Sequence, residues 1–239
     1  MPLPKISTPT YELVLPSTGK KIKYRPFLVR EEKILILALE SQDSKQVTTS
    51  IKSILKSCIS TRGIKVDDLP TFDIEYLFLN IRGKSVGESL DLMVTCPDDG
   101  VTQVPVRLFI DEIEIKKDPN HTKDIKIDEN LTLRLKYPSL DQFIQNNFDF
   151  SEDDSVDASF NIISSCIDQV YNEDESWAAS DCTKKELKEW VETLNTNQFK
   201  EVESFFTTMP KLSHTVKVKN PKTKVESDIT LEGLTSFFG

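Results

Sequence analysis

The residues from Phe72 to Arg82 read Phe-Asp-Ile-Glu-Tyr-Leu-Phe-Leu-Asn-Ile-Arg, and their apolar members fall on nearly every side of a helix. A helix of that kind is stable only when other elements, or a partner, cover it from several directions. The chain must therefore supply layers around residues 72–82, and its remaining elements are read as candidates for them. Leu69-Pro70 leads into this helix, and Thr71 or Asp73 is the expected cap.

Before it, residues 11–25 alternate as a hairpin. Tyr11, Leu13 and Leu15 share one face, Pro16-Ser17-Thr18-Gly19 turns, and Ile22 and Tyr24 return, with Pro26 closing the strand. A helix is expected from about Arg30. Glu31 and Glu32 sit at its positive N-terminal end, and Ile34, Leu35, Leu37 and Ala38 form a broad apolar face. A second helix over about 44–60 carries the stripe Val47, Ile51, Ile54, Leu55, Cys58 and Ile59, and Gly63 breaks it.

From residue 86 to 136 the period changes to two. Leu90, Leu92 and Val94 run into the turn Cys96-Pro97-Asp98-Asp99-Gly100, and residues 101–108 return. Ile113 and Ile115 mark a further strand, and Ile125, Ile127, Leu131, Leu133 and Leu135 a further hairpin. Pro138 stops it, and a short helix with Leu140, Phe143 and Ile144 is expected from Ser139. An acidic solvated stretch follows from Asp149. Phe160, Ile163, Ile167 and Val170 predict a helix over about 155–172, ended by the polar run Asn172-Glu173-Asp174-Glu175. Thr183-Lys184-Lys185-Glu186 fits a capping box ahead of Leu187, Trp190, Val191 and Leu194. Thr196 or Asn197 opens a helix that Pro210 ends, and Val216, Val218, Val225, Ile229 and Leu231 form a terminal hairpin. The fold class is α+β, with antiparallel hairpins packed on helices and a C-terminal helical region closed by a hairpin. The expected division is 1–148, an α+β region, and 149–239, a helical region packed with the first as one body.

Function classes are narrowed mainly by what these elements lack. The 239 residues carry a formal net charge of −9, which disfavours nucleic-acid binding driven by the phosphate backbone. No apolar run reaches the roughly 18 residues of a membrane span, and the first residues do not read as a signal peptide. Cys58, Cys96, Cys166 and Cys182 are scattered, and Cys58 and Cys166 stand at apolar helical positions as buried free thiols, which suits a reducing compartment. His121 and His214 lack metal-ligand spacing and read as surface or turn residues. No nucleophile elbow, phosphate-binding glycine loop or zinc-protease motif occurs, so no catalytic, cofactor-binding or metal residue is assigned and no enzyme activity is expected.

Two features remain. The turn Cys96-Pro97-Asp98-Asp99-Gly100 is echoed by Asn220-Pro221-Lys222-Thr223-Lys224, each followed by a valine, Val101 and Val225. Zinc ribbons carry Cys-Pro-x-Cys-Gly at such turns, because two thiolates there grip a tetrahedral ion. Here one cysteine survives in the first turn and none in the second, so four ligands cannot be assembled. A degenerate zinc-ribbon nucleic-acid binder is thus a rival reading, opposed by the net charge. Secondly, Lys217, Lys219, Lys222 and Lys224 gather positive charge on the terminal hairpin. They are either a solvated face or a docking edge for an acidic partner or another copy of the chain. The closing Phe237 and Phe238 are either folded back or an anchor.

Several blocks resemble one family in order along the chain. They are Leu3-Pro4-Lys5, Pro9 to Leu13 and Leu15 to Lys20; then Tyr24-Arg25-Pro26-Phe27-Leu28-Val29-Arg30-Glu31-Glu32-Lys33; then Phe72 to Arg82 with Lys84 to Glu88; then Cys96-Pro97-Asp98-Asp99; and finally Leu231 to Leu234 with Phe237-Phe238. Together they resemble the T4-type bacteriophage baseplate protein family, and are most similar to baseplate hub subunits of T4-like cyanophages. The resemblance implies a non-enzymatic structural or assembly role in the contractile-tail baseplate hub, with other hub proteins as partners and no cofactor, nucleic acid, membrane or small-molecule substrate. It implies location in the virion tail, or in the host cytoplasm during assembly, and leaves open a transient hub chaperone that departs before maturity. Tyr24, Arg25 and Phe27 have the chemistry enriched at binding hot spots, and read either as contacts or as a strand-to-helix junction bent by Pro26.

Overall fold

A computed structural model describes residues 6–41, 43–139, 156–233 and 236. The helix expected after Ser139, most of the acidic run from Asp149, and Phe237 and Phe238 lie outside the described residues, as does the expected boundary at 148–149. The chain forms two compact units: Met1–Lys116 with Lys211–Gly239, and Lys117–Pro210. Both combine helices with antiparallel sheets, so the α+β class holds.

In the first unit, β1 (Tyr11–Val14) and β2 (Lys21–Tyr24) pair with Tyr11 opposite Tyr24 and Leu13 opposite Ile22. The Gly19 N–H donates to the Leu15 carbonyl at 2.8 Å, and Gly19 takes φ 69°, the left-handed conformation such a turn requires. Then come α1 (Val29–Glu40), α2 (Ser44–Cys58) and α3 (Thr71–Val86). In α2, Val47, Ile51, Ile54, Leu55 and Cys58 are all buried, as their spacing requires.

α3 is the covered helix its composition demands. Phe72, Ile74, Leu77, Phe78, Leu79 and Ile81 are each 3% exposed or less. Its cap differs from expectation: Pro70 holds the N-cap position, with no side-chain cap bond. Asp73 is spent elsewhere, because its buried carboxylate accepts the Ser17 N–H at 3.0 Å and the Ser17 hydroxyl, which ties the β1–β2 turn to the helix. After α3, β3 (Ser89–Thr95) and β4 (Gln103–Phe109) form a hairpin. β5 (Glu114–Lys116) joins the terminal hairpin of β10 (Lys211–Lys219) and β11 (Glu226–Glu232) in a sheet ordered β11-β10-β5.

The second unit holds a sheet ordered β6-β7-β8-β9, from β6 (Asp124–Lys126), β7 (Thr132–Leu135), β8 (Ile167–Tyr171) and β9 (Ser176–Ala178). Helices α4 (Val156–Ser165), α5 (Lys184–Glu192) and α6 (Thr196–Thr208) accompany it. Its core joins Ile125, Leu133, Leu135, Ile163, Ile167, Val191, Val202 and Phe205. Thr183 and Glu186 make the expected capping box on α5; α6 opens at Thr196, the first of the two expected positions, behind the cap Asn195, with Gln198 completing a second box.

One prediction fails here in an informative way. The helix expected to reach residue 172 ends at Ser165, and Ile167–Tyr171 is a strand. Leu135 pairs with Ile167 and Arg134 with Gln169, so Asp168 is an extra residue in a β-bulge. The bulge lets Ile167 and Val170, three apart, be buried together in the core. That spacing is the one a helix would show.

Candidate interaction surfaces

The block Tyr24 to Glu31 is laid down as a strand-to-helix junction. Tyr24 is 2% exposed and pairs with the ring of Tyr11; burial first, then the phenols of Tyr11 and Tyr76 and the Glu88 carboxylate, push its hydroxyl up to about 12. The Phe27 N–H donates to Ser85 Oγ at 2.7 Å, and its ring lies 5.4 Å from that of Phe78. Arg25 turns inward. Its Nη2 donates to Glu31 Oε1 at 2.8 Å and its Nη1 to the Pro26 carbonyl at 2.8 Å.

Glu31 is therefore more than a charge near a helix end. It is 3% exposed, and it accepts from Arg25, from Arg30 Nε at 2.7 Å and from the Leu28 N–H at 2.8 Å. The last bond reaches back three residues, as in a capping box. Burial alone would raise its pKa, but the hydrogen bonds from Arg25, Arg30 and Leu28 outweigh it and hold the carboxyl at about 2.

Glu31 and Ala38 are buried on one side of α1, and a set of apolar residues on the other side faces out. Val29 is 81% exposed, Ile36 50% and Leu37 54%. These stand at i, i+7 and i+8 and so share a face, with Lys33 between them and Ile34 at its margin, 41% exposed. The apolar face expected of Ile34, Leu35, Leu37 and Ala38 is thus divided: Ala38 enters the core, while Ile34 and Leu37 face out. The warning was legible in the sequence, because Ile34 to Ala38 are five consecutive apolar residues, too many for one stripe.

On the terminal hairpin, Lys217 and Lys219 are exposed and meet acidic residues across the ladder. Lys219 Nζ lies 2.9 Å from Glu226 Oε1, and Lys217 is in register with Asp228. Lys222 and Lys224 are exposed in the turn.

That turn meets the other proline turn, which sequence reasoning only compared. Asn220, 1% exposed, donates from Nδ2 to both Asp98 carboxylate oxygens at 3.1 Å, and Thr223 Oγ1 also donates to Asp98. Donation by Thr223, then by Asn220, lowers the pKa of Asp98. Among the described residues, no group of three or more His, Cys, Asp or Glu is placed to hold a metal ion, and no helix is long and apolar enough to cross a membrane.

In the second unit, His121 closes a turn, its N–H donating to the Asp118 carbonyl at 3.1 Å, and its ring is also held on both sides. Its Nδ1 lies 2.9 Å from Thr208 Oγ1 and its Nε2 3.0 Å from the Tyr137 hydroxyl. Thr208 donates its one proton to the Ser204 carbonyl at 2.7 Å, so it must accept from His121; Nδ1 carries the proton and Nε2 accepts from Tyr137. Burial lowers the His121 pKa, and Lys123 adds to the effect. Cys58, Cys96 and Cys166 are buried and free, and Cys182 is exposed.

A family model described as T4 bacteriophage base plate protein matches residues 8–239. The chain belongs to that family. No curated protein and no solved structure matches it. As a T4-type baseplate protein it is a structural component of the phage tail, where neighbouring baseplate proteins are its partners. The outward face of α1 lies within the matched region and begins at Val29, inside the Arg25–Glu31 junction that orients the helix.

Proposed function

We propose that this baseplate protein is a hub component, acting through protein contacts and without catalysis, and that the outward face of α1 packs against an apolar surface of a neighbouring hub protein. The observation that carries this is the exposure of Val29, Ile36 and Leu37 on one face of a helix whose opposite side is fixed in the core by Glu31 and Ala38. Full burial of such a side chain is worth about 1.5–3 kcal/mol, so covering most of Val29 and the exposed halves of Ile36 and Leu37 is enough to make the ridge the centre of an interface. Lys33 on the same face, and Lys222 and Lys224 on the hairpin turn, supply charges that set orientation. The chain would assemble in the host cytoplasm before joining the tail.

The test is co-expression with individual hub proteins, followed by mass measurement on size-exclusion fractions. The Ile36→Glu/Leu37→Glu variant should melt like the wild type yet lose the complex. Retention of the complex by this folded variant would refute the assignment of α1. The same exposed ridge suits a transient chaperone that shields a hub surface and leaves. Mass spectrometry of purified virions separates the two roles, since a chaperone is absent from them and a hub component present.

A further inference from the structure

The two proline turns share a backbone plan. In the first, the Gly100 N–H donates to the Cys96 carbonyl at 3.0 Å and Gly100 takes φ 66°; in the second, the Lys224 N–H donates to the Asn220 carbonyl at 2.9 Å and Lys224 takes φ 66°. Lys224 is the one non-glycine residue at positive φ among the described residues, so the second turn keeps a conformation its side chain disfavours. A third hairpin turn, Pro16 to Gly19, has the same closure, so the plan alone is ordinary. What distinguishes the other two is that they meet, across more than a hundred residues of chain, around one carboxylate.

The role of Asn220 is specific. Its Oδ1 accepts the Lys222 N–H at 2.9 Å and the Thr223 N–H at 3.4 Å, while Nδ2 reaches across to Asp98. An acceptor at the first position of a turn, capped by the following amides and buried, stands where a metal-binding knuckle places its first thiolate. Cys96, 1% exposed, occupies that first position in the facing turn. Three residues on from each lie Asp99 and Thr223, the second ligand positions.

We propose that these turns are a metal-free form of a two-knuckle clip, with Cys96, Asp99, Asn220 and Thr223 at its four ligand positions. Hydrogen bonds to Asp98 do the work that a tetrahedral cation does in the metal form, tying the β3–β4 hairpin to the β10–β11 hairpin. The native chain keeps a single cysteine there, buried and free, and holds the turns together without an ion.

The experiment restores the ligands. The variant Asp99→Cys/Asn220→Cys/Thr223→Cys, with the native Cys96, should take up one Co²⁺ or Zn²⁺ per chain, show the ligand-field absorption of tetrahedral cobalt–thiolate, and melt higher with metal than without. A register control, Asp98→Cys/Asn220→Cys/Thr223→Cys, should bind at least tenfold more weakly. A folded triple variant that binds no cobalt overturns the proposal, as does equal affinity in the register control. Should the triple variant fail to fold, Asn220→Cys alone decides. Diamide, which accepts the two electrons and two protons released, should form a disulfide between Cys96 and the new thiol, found by peptide mapping. A folded single variant that does not cross-link overturns the assignment.

Discussion

Replacing Glu31 by glutamine keeps the side chain's size and removes the charge that Arg25, Arg30 and the Leu28 N–H converge on. The Glu31 carboxyl goes from 4.5, its ordinary value, to about 2 in the folded chain. At about 1.4 kcal/mol per unit, that difference is worth about 3 kcal/mol of stability when the carboxyl is ionised in both states. The folded pKa is depressed, so the contribution is complete above 4.5 and is lost as the pH falls through the folded value near 2. At pH 6 it is full, and at pH 3 about 1 kcal/mol remains, a change of about 2 kcal/mol from this group. Urea denaturation of wild type and Glu31→Gln at both pH values measures it, because the other carboxylates titrate alike in the two chains and cancel in the difference. The variant should be destabilised by about 3 kcal/mol at pH 6 and by about 2 kcal/mol less at pH 3. An equal penalty at the two pH values would refute the reasoning, and would mean that Glu31 acts through packing and not through its charge.

Other outcomes follow from the same geometry. Burial depresses the His121 pKa below 6.5, so its contribution to stability is present above that pH and is lost as the pH falls below it; His121→Gln should flatten the stability profile in that window, read by thermal melts across a pH series. A Cβ on Gly83 would lie 2.7 Å from Ile110 Cδ1, so Gly83→Ala should destabilise by about 1–3 kcal/mol. In an Ile110→Val background, where that atom is gone, the same change should become neutral or stabilise by up to about 1 kcal/mol through helix propensity, and equal penalties in both backgrounds would show that Ile110 is not the obstacle. Phe205, 1% exposed and packed against His121, Tyr137 and Phe206, should cost about 3–5 kcal/mol when truncated to alanine, measured by chemical denaturation.

Local patterning made much of this protein readable. The covered helix α3, the α2 stripe, the proline hairpins and the α5 capping box each follow from residues within one or two turns of chain, where periodicity and cap chemistry act. The bulge at Asp168 was not legible, because only pairing with β7 reveals that Ile167 and Val170 lie on a strand and not on a helix. Among the candidate contact residues, the sequence identified Tyr24, Arg25 and Phe27 as a unit but did not reveal that Arg25 would be consumed by Glu31.

The amino-acid order by itself thus determined the α+β class, most element types with β8 as an exception, and the family to which the chain belongs, since these rest on short-range spacing and on matching blocks. Only the tertiary structure decided which side of α1 faces solvent, where the carboxylates of Asp73 and Glu31 are used, and that the turns at Cys96 and Asn220 meet. Those outcomes depend on which distant groups compete for one buried charge or one apolar face, and that competition is settled when the layers close around α3.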